Sequence, residues 1–226
     1  CFGINQILKY PSLANKKIGY IPTGTANILQ IETKIPKNAE FISKVLIAGD
    51  TKKISLSKVN DQFFFLMTGI GFDGKIVASI DTRIKKYLGK IIFALKGFQH
   101  FLFLKNNKME ILIDDKRTEA DWILSMNSKY YAGPHEVTKT TDIFQNGLVT
   151  YIFKDLTRLK ILYYLFLILF YGDLSRAKSI VTTHAKKIKI NKLNSSLAIQ
   201  TDGEIFDSKE RVEIQQTNKF INLVTV

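Results

Sequence analysis

The sequence predicts a mixed fold, a partial α/β segment followed by an antiparallel β-sandwich domain with two helices inserted, and three observations carry it. From residue 53 onward, nine short runs suited to strands follow one another, most of them separated by polar turns. Upstream, a short apolar strand runs through a Gly/Thr turn into a helix, which is an α/β corner. Finally, 226 residues at 25.8 kDa and 46% hydrophobic content are enough to bury a core without disulfide or metal staples.

In chain order, 2–10 reads as a helix closed by Pro11, and 17–21 as a strand ending at Pro22. Thr23-Gly24-Thr25-Ala26-Asn27 then turns into a helix from about Ile28, where free amides point at an anion in many α/β proteins. The strand runs are 53–56, 62–68, 108–113, 118–125, 148–153, 186–190, 196–201, 211–215 and 220–226. Between them, 83–103 has apolar residues at 84, 88, 91, 92, 95, 98 and 102, which is helical spacing with lysines interspersed. A second helix, 155–171, contains eleven consecutive apolar residues from Ile161 to Tyr171. That run is short of the roughly 20 residues that span a bilayer, so it reads first as a buried core helix. Its rival reading is a helix lying at a membrane interface.

Composition excludes several classes. The single cysteine, Cys1, rules out a disulfide framework and a Cys-rich zinc site, and the three histidines are scattered. Nothing is repetitive or low in complexity. Residues 1–5 read like the middle of an element, so the chain is expected to be a trimmed piece of a longer protein. The net charge of +13 is concentrated: residues 82–109 hold seven Lys/Arg and no acid, and residues 174–200 hold six and no acid. Those two segments account for the whole excess. Lysines beside long apolar runs favour an anionic lipid surface over nucleic acid.

Gly69-Ile-Gly71-Phe-Asp73-Gly74 is a literal G-x-G-x-x-G after a strand. A dinucleotide site would want a helix opening at once and an acid about 20 positions on; the stretch around 93 is apolar, with Lys96 instead. The glycines read better as a sharp backbone path presenting Asp73, a carboxylate suited to a divalent cation or its water shell. Thr201-Asp202-Gly203-Glu204 places two carboxylates at the end of an apolar strand, either as a solvated hairpin turn or as acids for proton transfer.

Taken in order, Pro22-x-Gly24-Thr25-Ala26-Asn27, then Gly69-Ile-Gly71-Phe-Asp73, then Asp202-Gly203-Glu204 resemble the diacylglycerol kinase catalytic-domain family of bacterial lipid kinases, relatives of sphingosine and ceramide kinases. Lys86-Tyr-Leu-Gly89-Lys90, Asn127 with Tyr131-Ala132-Gly133, and the run 186–190 agree in place and interval. The resemblance implies an α/β nucleotide domain over 1–47 and a β-sandwich substrate domain over 48–216. A last strand, 217–226, would return to the first domain. It also implies ATP contacts by Gly24, Thr25 and Asn27, a magnesium network organised by Asp73, and a lipid hydroxyl whose proton passes to Asp202 or Glu204. ATP and Mg2+ are the implied cofactors. The implied partner is a diacylglycerol-like membrane lipid; that function, the charge pattern and the lack of disulfides point to the anionic inner face of the membrane, visited from the cytoplasm, and oligomeric state stays open between a single copy and a homodimer.

Two departures qualify that expectation. The family's Gly-Gly-Asp-Gly-Thr phosphate loop should precede Ile4-Asn5-Gln6-Ile7, yet Cys1-Phe2-Gly3 does not match it, so the chain alone is expected to be nearly inactive. Where many members carry an acid for a structural magnesium, this chain has Asn146, which offers only a neutral oxygen. The readings carried forward are a lipid kinase, a non-catalytic lipid-binding remnant of one, and a soluble kinase of the NAD kinase type.

Overall fold

The computed structural model describes residues 5, 7–8, 10, 15–24, 26–80, 90–104, 108–114, 116–191, 197–208 and 211–226. The strands, in chain order, begin with β1 (Lys17–Ile18), β2 (Thr51–Val59), β3 (Gln62–Phe64), β4 (Met67–Gly71) and β5 (Met109–Ile113). They continue with β6 (Lys116–Ala120), β7 (Trp122–Met126), β8 (Tyr130–Tyr131), β9 (His135–Glu136) and β10 (Val149–Phe153). The last are β11 (Ile180–Thr183), β12 (Lys187–Asn191), β13 (Leu197–Thr201), β14 (Glu204–Ser208) and β15 (Val212–Val224). Among the described residues the α-helices with defined bounds are α1 (Ile28–Thr33), α2 (Ala39–Ala48), α3 (Phe72–Ala78), α4 (Lys90–Leu102) and α5 (Arg158–Phe170).

One sheet has the order β3-β2-β15-β12-β5-β6, with β1 added in parallel beside β15; the other has the order β11-β10-β7-β4-β13-β14. Apart from β1, every pairing in both sheets is antiparallel. Between the sheets, Ile70, Ile111, Ile123, Ile152, Ile188, Ile199 and Ile214 interlock in one cluster. The opposite side chains of β7 and β10 (Trp122, Leu124, Met126, Tyr151 and Phe153) face a second cluster that takes in α1 and α5. Both strands are buried on both faces, which is why they read as unbroken apolar runs. Trp122 stacks on Phe153 at 3.9 Å, and Phe153 meets Tyr164 edge-on at 5.1 Å, pinning α5 against this sheet.

Several elements differ from the sequence reading, each for a physical reason. The runs 62–68 and 118–125 are each two strands, because the chain passes from one sheet to the other within them. At the second crossing Asp121 stands at the bend, donating its amide to Phe153 O and accepting from Leu156 N at 2.8 Å. Conversely, 211–215 and 220–226 are one strand, β15, with a bulge between Gln216 and Phe220. The expected strand over 17–21 pairs over only two residues. Helix α2, which the sequence reading did not anticipate, is capped by Asn38 accepting from Phe41 N and closed by Gly49 at φ 69°. The helix expected over 2–10 lies mostly outside the described residues, as does the start of the one expected over 83–103. Helix α5 is only partly the core helix expected: Ile161, Tyr164 and Leu167 are buried, while its other face is open.

Candidate active site

The Asp202 motif meets the turn at residues 63–67, where the chain leaves β3 for β4, and the Asp73 motif is linked to it through Gln200. Thr201 pairs with Glu204 across a two-residue hairpin, with Asp202 at φ 49° and Gly203 at φ 83°. Positive φ at both central residues is the type I′ geometry, which suits an Asp-Gly pair. The hairpin swings the Asp202 carboxylate onto the turn. There it accepts from Phe65 N at 3.1 Å and from Leu66 N and Met67 N at 2.9 Å each, while its own amide donates to Met67 O. Burial pushes this carboxyl above its ordinary range, and the three amides pull the other way. Asp202 is therefore not the solvated turn acid of the bland sequence reading.

From the other sides, Asn5 exchanges two hydrogen bonds with the Phe63 backbone, and Asn127 N and Ser128 N both donate to Leu66 O. Ser57 Oγ donates to Asn127 Oδ1 at 3.0 Å, orienting that buried amide. Glu32, on α1, accepts from Ser128 Oγ at 2.5 Å and Lys129 N at 3.0 Å. Burial raises its carboxyl pKa against those two bonds. In this way α1, which follows the Gly24-to-Asn27 corner, is tied to the same turn through Ser128.

Asp73 lies in the first turn of α3, buried against the β13 strand. Its two oxygens accept from Tyr131 Oη at 2.5 Å and Gln200 Nε2 at 2.7 Å, and Gln200 Oε1 in turn accepts from Gly203 N at 2.9 Å. A chain of bonds thus runs from Tyr131 through Asp73 and Gln200 to the Asp202 hairpin. Burial raises the Asp73 carboxyl, with both hydrogen bonds opposing it. The Tyr131 hydroxyl is raised well above its usual range, first by burial and then by the Asp73 charge.

The glycines of this motif have packing roles. A Cβ on Gly69 would stand 1.9 Å from Asp73 Oδ2, and one on Gly74 would stand 2.0 Å from Ala198 O. Gly71, at φ 95°, passes close under Asp121 O. A helix does open directly after Gly71, as a dinucleotide site would want, but the acid such a site needs about 20 positions on is absent. The glycines make room for Asp73 and for α3 against β13.

Of the other expected site residues, Gly24 and Asn27 are described and Thr25 lies outside the described residues. Asn27 is left-handed at φ 49°, and its Oδ1 accepts from Tyr20 Oη at 3.5 Å. A Cβ on Gly24 would come within 3.0 Å of that same oxygen. Glu204 sits exposed at the hairpin rim. Asn146 lies elsewhere, on the β15 bulge, with Oδ1 accepting from Gln216 Nε2 at 2.9 Å and Nδ2 donating toward Asn218. Among the described residues no group of three His, Cys, Asp or Glu gathers that could hold a metal, and both Asp73 oxygens already serve protein donors. These residues do not fit a direct magnesium site.

Glu32, Ser128 and Gln200 were missed by sequence reasoning. Only Glu32 left a signal, an acid one helical turn from Ile28 on the buried face of α1.

No family model matches the chain. It is 22% identical over 203 residues to a protein of Staphylococcus epidermidis named diacylglycerol kinase, 23% identical over 203 residues to one of Staphylococcus aureus with the same name, and 25% identical over 134 residues to the YegS lipid kinase candidate of Salmonella arizonae. The alignment to the first covers 89% of this chain and 63% of that relative, so the chain spans less than two thirds of its length; for the second the shares are again 89% and 63%, and for the third 58% and 45%. Among solved structures it is similar to a diacylglycerol kinase from Bacillus anthracis, with a TM-score of 0.67 at 23% identity over 91% of this chain and 67% of that one. A second Bacillus anthracis structure, of a diacylglycerol kinase candidate, superposes with a TM-score of 0.73 at 21% identity over 98% of this chain and 72% of that one. Sequence relatives and fold agree with the resemblance carried by the three motifs: the chain has curated homologues among the diacylglycerol kinases and the fold of a diacylglycerol kinase.

Proposed function

We propose that this chain is the body of an ATP-dependent lipid kinase that phosphorylates a hydroxyl of diacylglycerol or a related membrane lipid. The observation that carries the reading is the shared turn at 63–67, where Asn5, the α1 element, and the Asp73 and Asp202 motifs are bonded into one unit. The kinase names of the curated relatives support it.

In this reading the lipid oxygen attacks the γ-phosphorus of ATP, the new O–P bond forms, the bond to the bridging oxygen breaks, and ADP leaves. Glu204, exposed at the hairpin rim, accepts the hydroxyl proton. Asp202 is the positioning residue, since three of the roughly four acceptor sites of its carboxylate are already taken by amides. Gly24, Thr25 and Asn27 form the corner beside the nucleotide. Magnesium would arrive with the ATP phosphates and offset their charge. The membrane in question is the inner leaflet, reached from the cytoplasm.

The test is phosphoryl transfer from γ-labelled ATP to diacylglycerol in mixed micelles. It uses the chain alone and a chimera that supplies a Gly-Gly-Asp-Gly-Thr loop ahead of Ile4. The chain alone is expected to be nearly inactive and the chimera active. Glu204→Gln in the chimera should lower kcat by about 100-fold or more with little change in KM, the usual scale of lost general-base catalysis. Near-full turnover by that variant would remove Glu204 from the role. A chimera that folds and binds lipid vesicles yet transfers no phosphate would favour the remnant reading.

A further inference from the structure

Beyond its first turn, helix α5 presents an outward face with no charged side chain. Ile161, Tyr164 and Leu167 bury one stripe against the sheet. Opposite that stripe, at helical spacing, stand Leu159, Leu162, Tyr163, Phe166, Leu169 and Phe170, each between 44% and 79% exposed. A surface helix in water has a polar outer face; one that is apolar all round is enclosed by protein or lipid. Helix α4 widens the patch. It lies alongside, joined by Arg158 donating to the Phe101 and Leu102 carbonyls, and its Leu95, Phe98 and Leu102 are exposed as well. Exposed apolar side chains gathered on two neighbouring helices mark an interaction site rather than an ordinary solvated surface.

The charges around this face select the occupant. Arg158 and Lys160 stand at the start of α5, and Arg176 and Lys178 follow its end. Arg176 lies 4.4 Å over the Tyr171 ring, holding a cation at the rim of the apolar face. An apolar stripe with cations at both ends matches a leaflet of anionic lipid: acyl chains meet the leucines and phenylalanines while headgroup phosphates meet the flanks. At 13 residues the helix is too short to cross, and among the described residues no helix is long and apolar enough to do so.

We infer that α5, flanked by α4, is the docking face of this protein for an anionic bilayer, with α5 lying in the plane of the interface. This deepens the lipid-kinase reading by naming the surface that meets the membrane, but it rests on residues outside the candidate active site and is tested without ATP.

The experiment is flotation of the full chain with extruded vesicles of pure phosphatidylcholine or of phosphatidylcholine with 30 mol% phosphatidylglycerol. Binding is expected to the anionic vesicles, weakened at high salt. Leu162→Gln with Phe166→Gln and Phe170→Gln should reduce partitioning at least tenfold while the circular dichroism spectrum is unchanged. Because that variant could perturb packing, Arg176→Gln with Lys178→Gln is the second arm, expected to lower binding to anionic vesicles alone. Wild-type protein that stays in the soluble fraction with both vesicles overturns the proposal. So does an apolar variant that floats like the wild type, or a concentration-dependent dimer in sedimentation velocity that the apolar variant abolishes, since the face would then join two copies. Vesicle binding without phosphoryl transfer in the chimera overturns the kinase reading alone; transfer to a short-chain soluble diacylglycerol without vesicle binding overturns the docking face alone.

Discussion

Asp202→Asn is the most informative single substitution, because its effect on stability can be worked out from three bonds. In the native protein Oδ1 accepts from Leu66 N and Met67 N, and Oδ2 accepts from Phe65 N. Asparagine keeps one oxygen, which can hold the first two amides, and puts an NH2 where Oδ2 was, facing the Phe65 N–H. Leaving that amide unmatched costs about 1–3 kcal/mol, and turning two charge-assisted bonds into neutral ones removes about 1 kcal/mol more. Burial of the charge opposes its ionisation, so losing the charge returns part of this cost. The net expectation is about 2 kcal/mol, or a Tm lower by about 4–8 °C for a chain of this length. Urea denaturation followed by tryptophan fluorescence measures it, since the sole tryptophan, Trp122, packs in the sheet that carries Asp202. Glu204→Gln, at the exposed rim, is the control and should stay within about 0.5 kcal/mol of the wild type. If Asp202→Asn also falls within that margin, the clamp on the turn contributes no net stability, and its assignment as a positioning residue loses its basis.

Three further outcomes follow from the same structure. Gly74→Ala would force a Cβ against the Ala198 carbonyl and should cost about 3 kcal/mol by overpacking, whereas Gly147→Ala, with open space around it, should be near neutral; paired melting curves compare them. Glu32 has a folded-state pKa raised by burial, so its contribution to stability is full below the unfolded value of about 4.3 and declines as pH rises through the folded one. Glu32→Gln keeps an oxygen for Ser128 and Lys129, so the fall in the urea midpoint between pH 4 and pH 8 should be smaller in the variant. Gln200→Leu removes the link between Asp73 and the hairpin and strands a buried carboxylate oxygen, an expected loss of about 2 kcal/mol; an unchanged melting temperature would show that the link carries no energy.

What the sequence disclosed depended on whether a feature is local. The strands of both sheets stand out because alternation and turn residues are short-range signals, and α5 stands out because its apolar run is continuous. The places where one run divides between two sheets, at 65–66 and at Asp121, do not show, since Phe63 to Met67 is continuous apolar sequence and Asp121 alone marks the second. The motifs were visible as motifs, yet their roles were not. That Asp202 would face the amides of residues 65–67, or that Gln200 would stand between Asp73 and Gly203, depends on contacts across more than 100 residues that no window contains. Helix α3 was overlooked because seven residues with a central glycine carry too little periodicity to register.

Strand β15 binds partners from far apart in the chain. It pairs with β12, with β2 along most of its length, and through Asn222 and Leu223 with Lys17 and Ile18 of β1. During synthesis at about 5–20 residues per second, β2 is made some 150 residues before its partner, so it waits about 8–30 s with one edge bare. An open edge of that kind invites pairing with other chains. The opening Thr-Lys-Lys of β2 keeps charge on it over this interval, and in the completed sheet the same lysines are reused, Lys52 donating to Val226 O and Lys53 lying over the Phe220 ring.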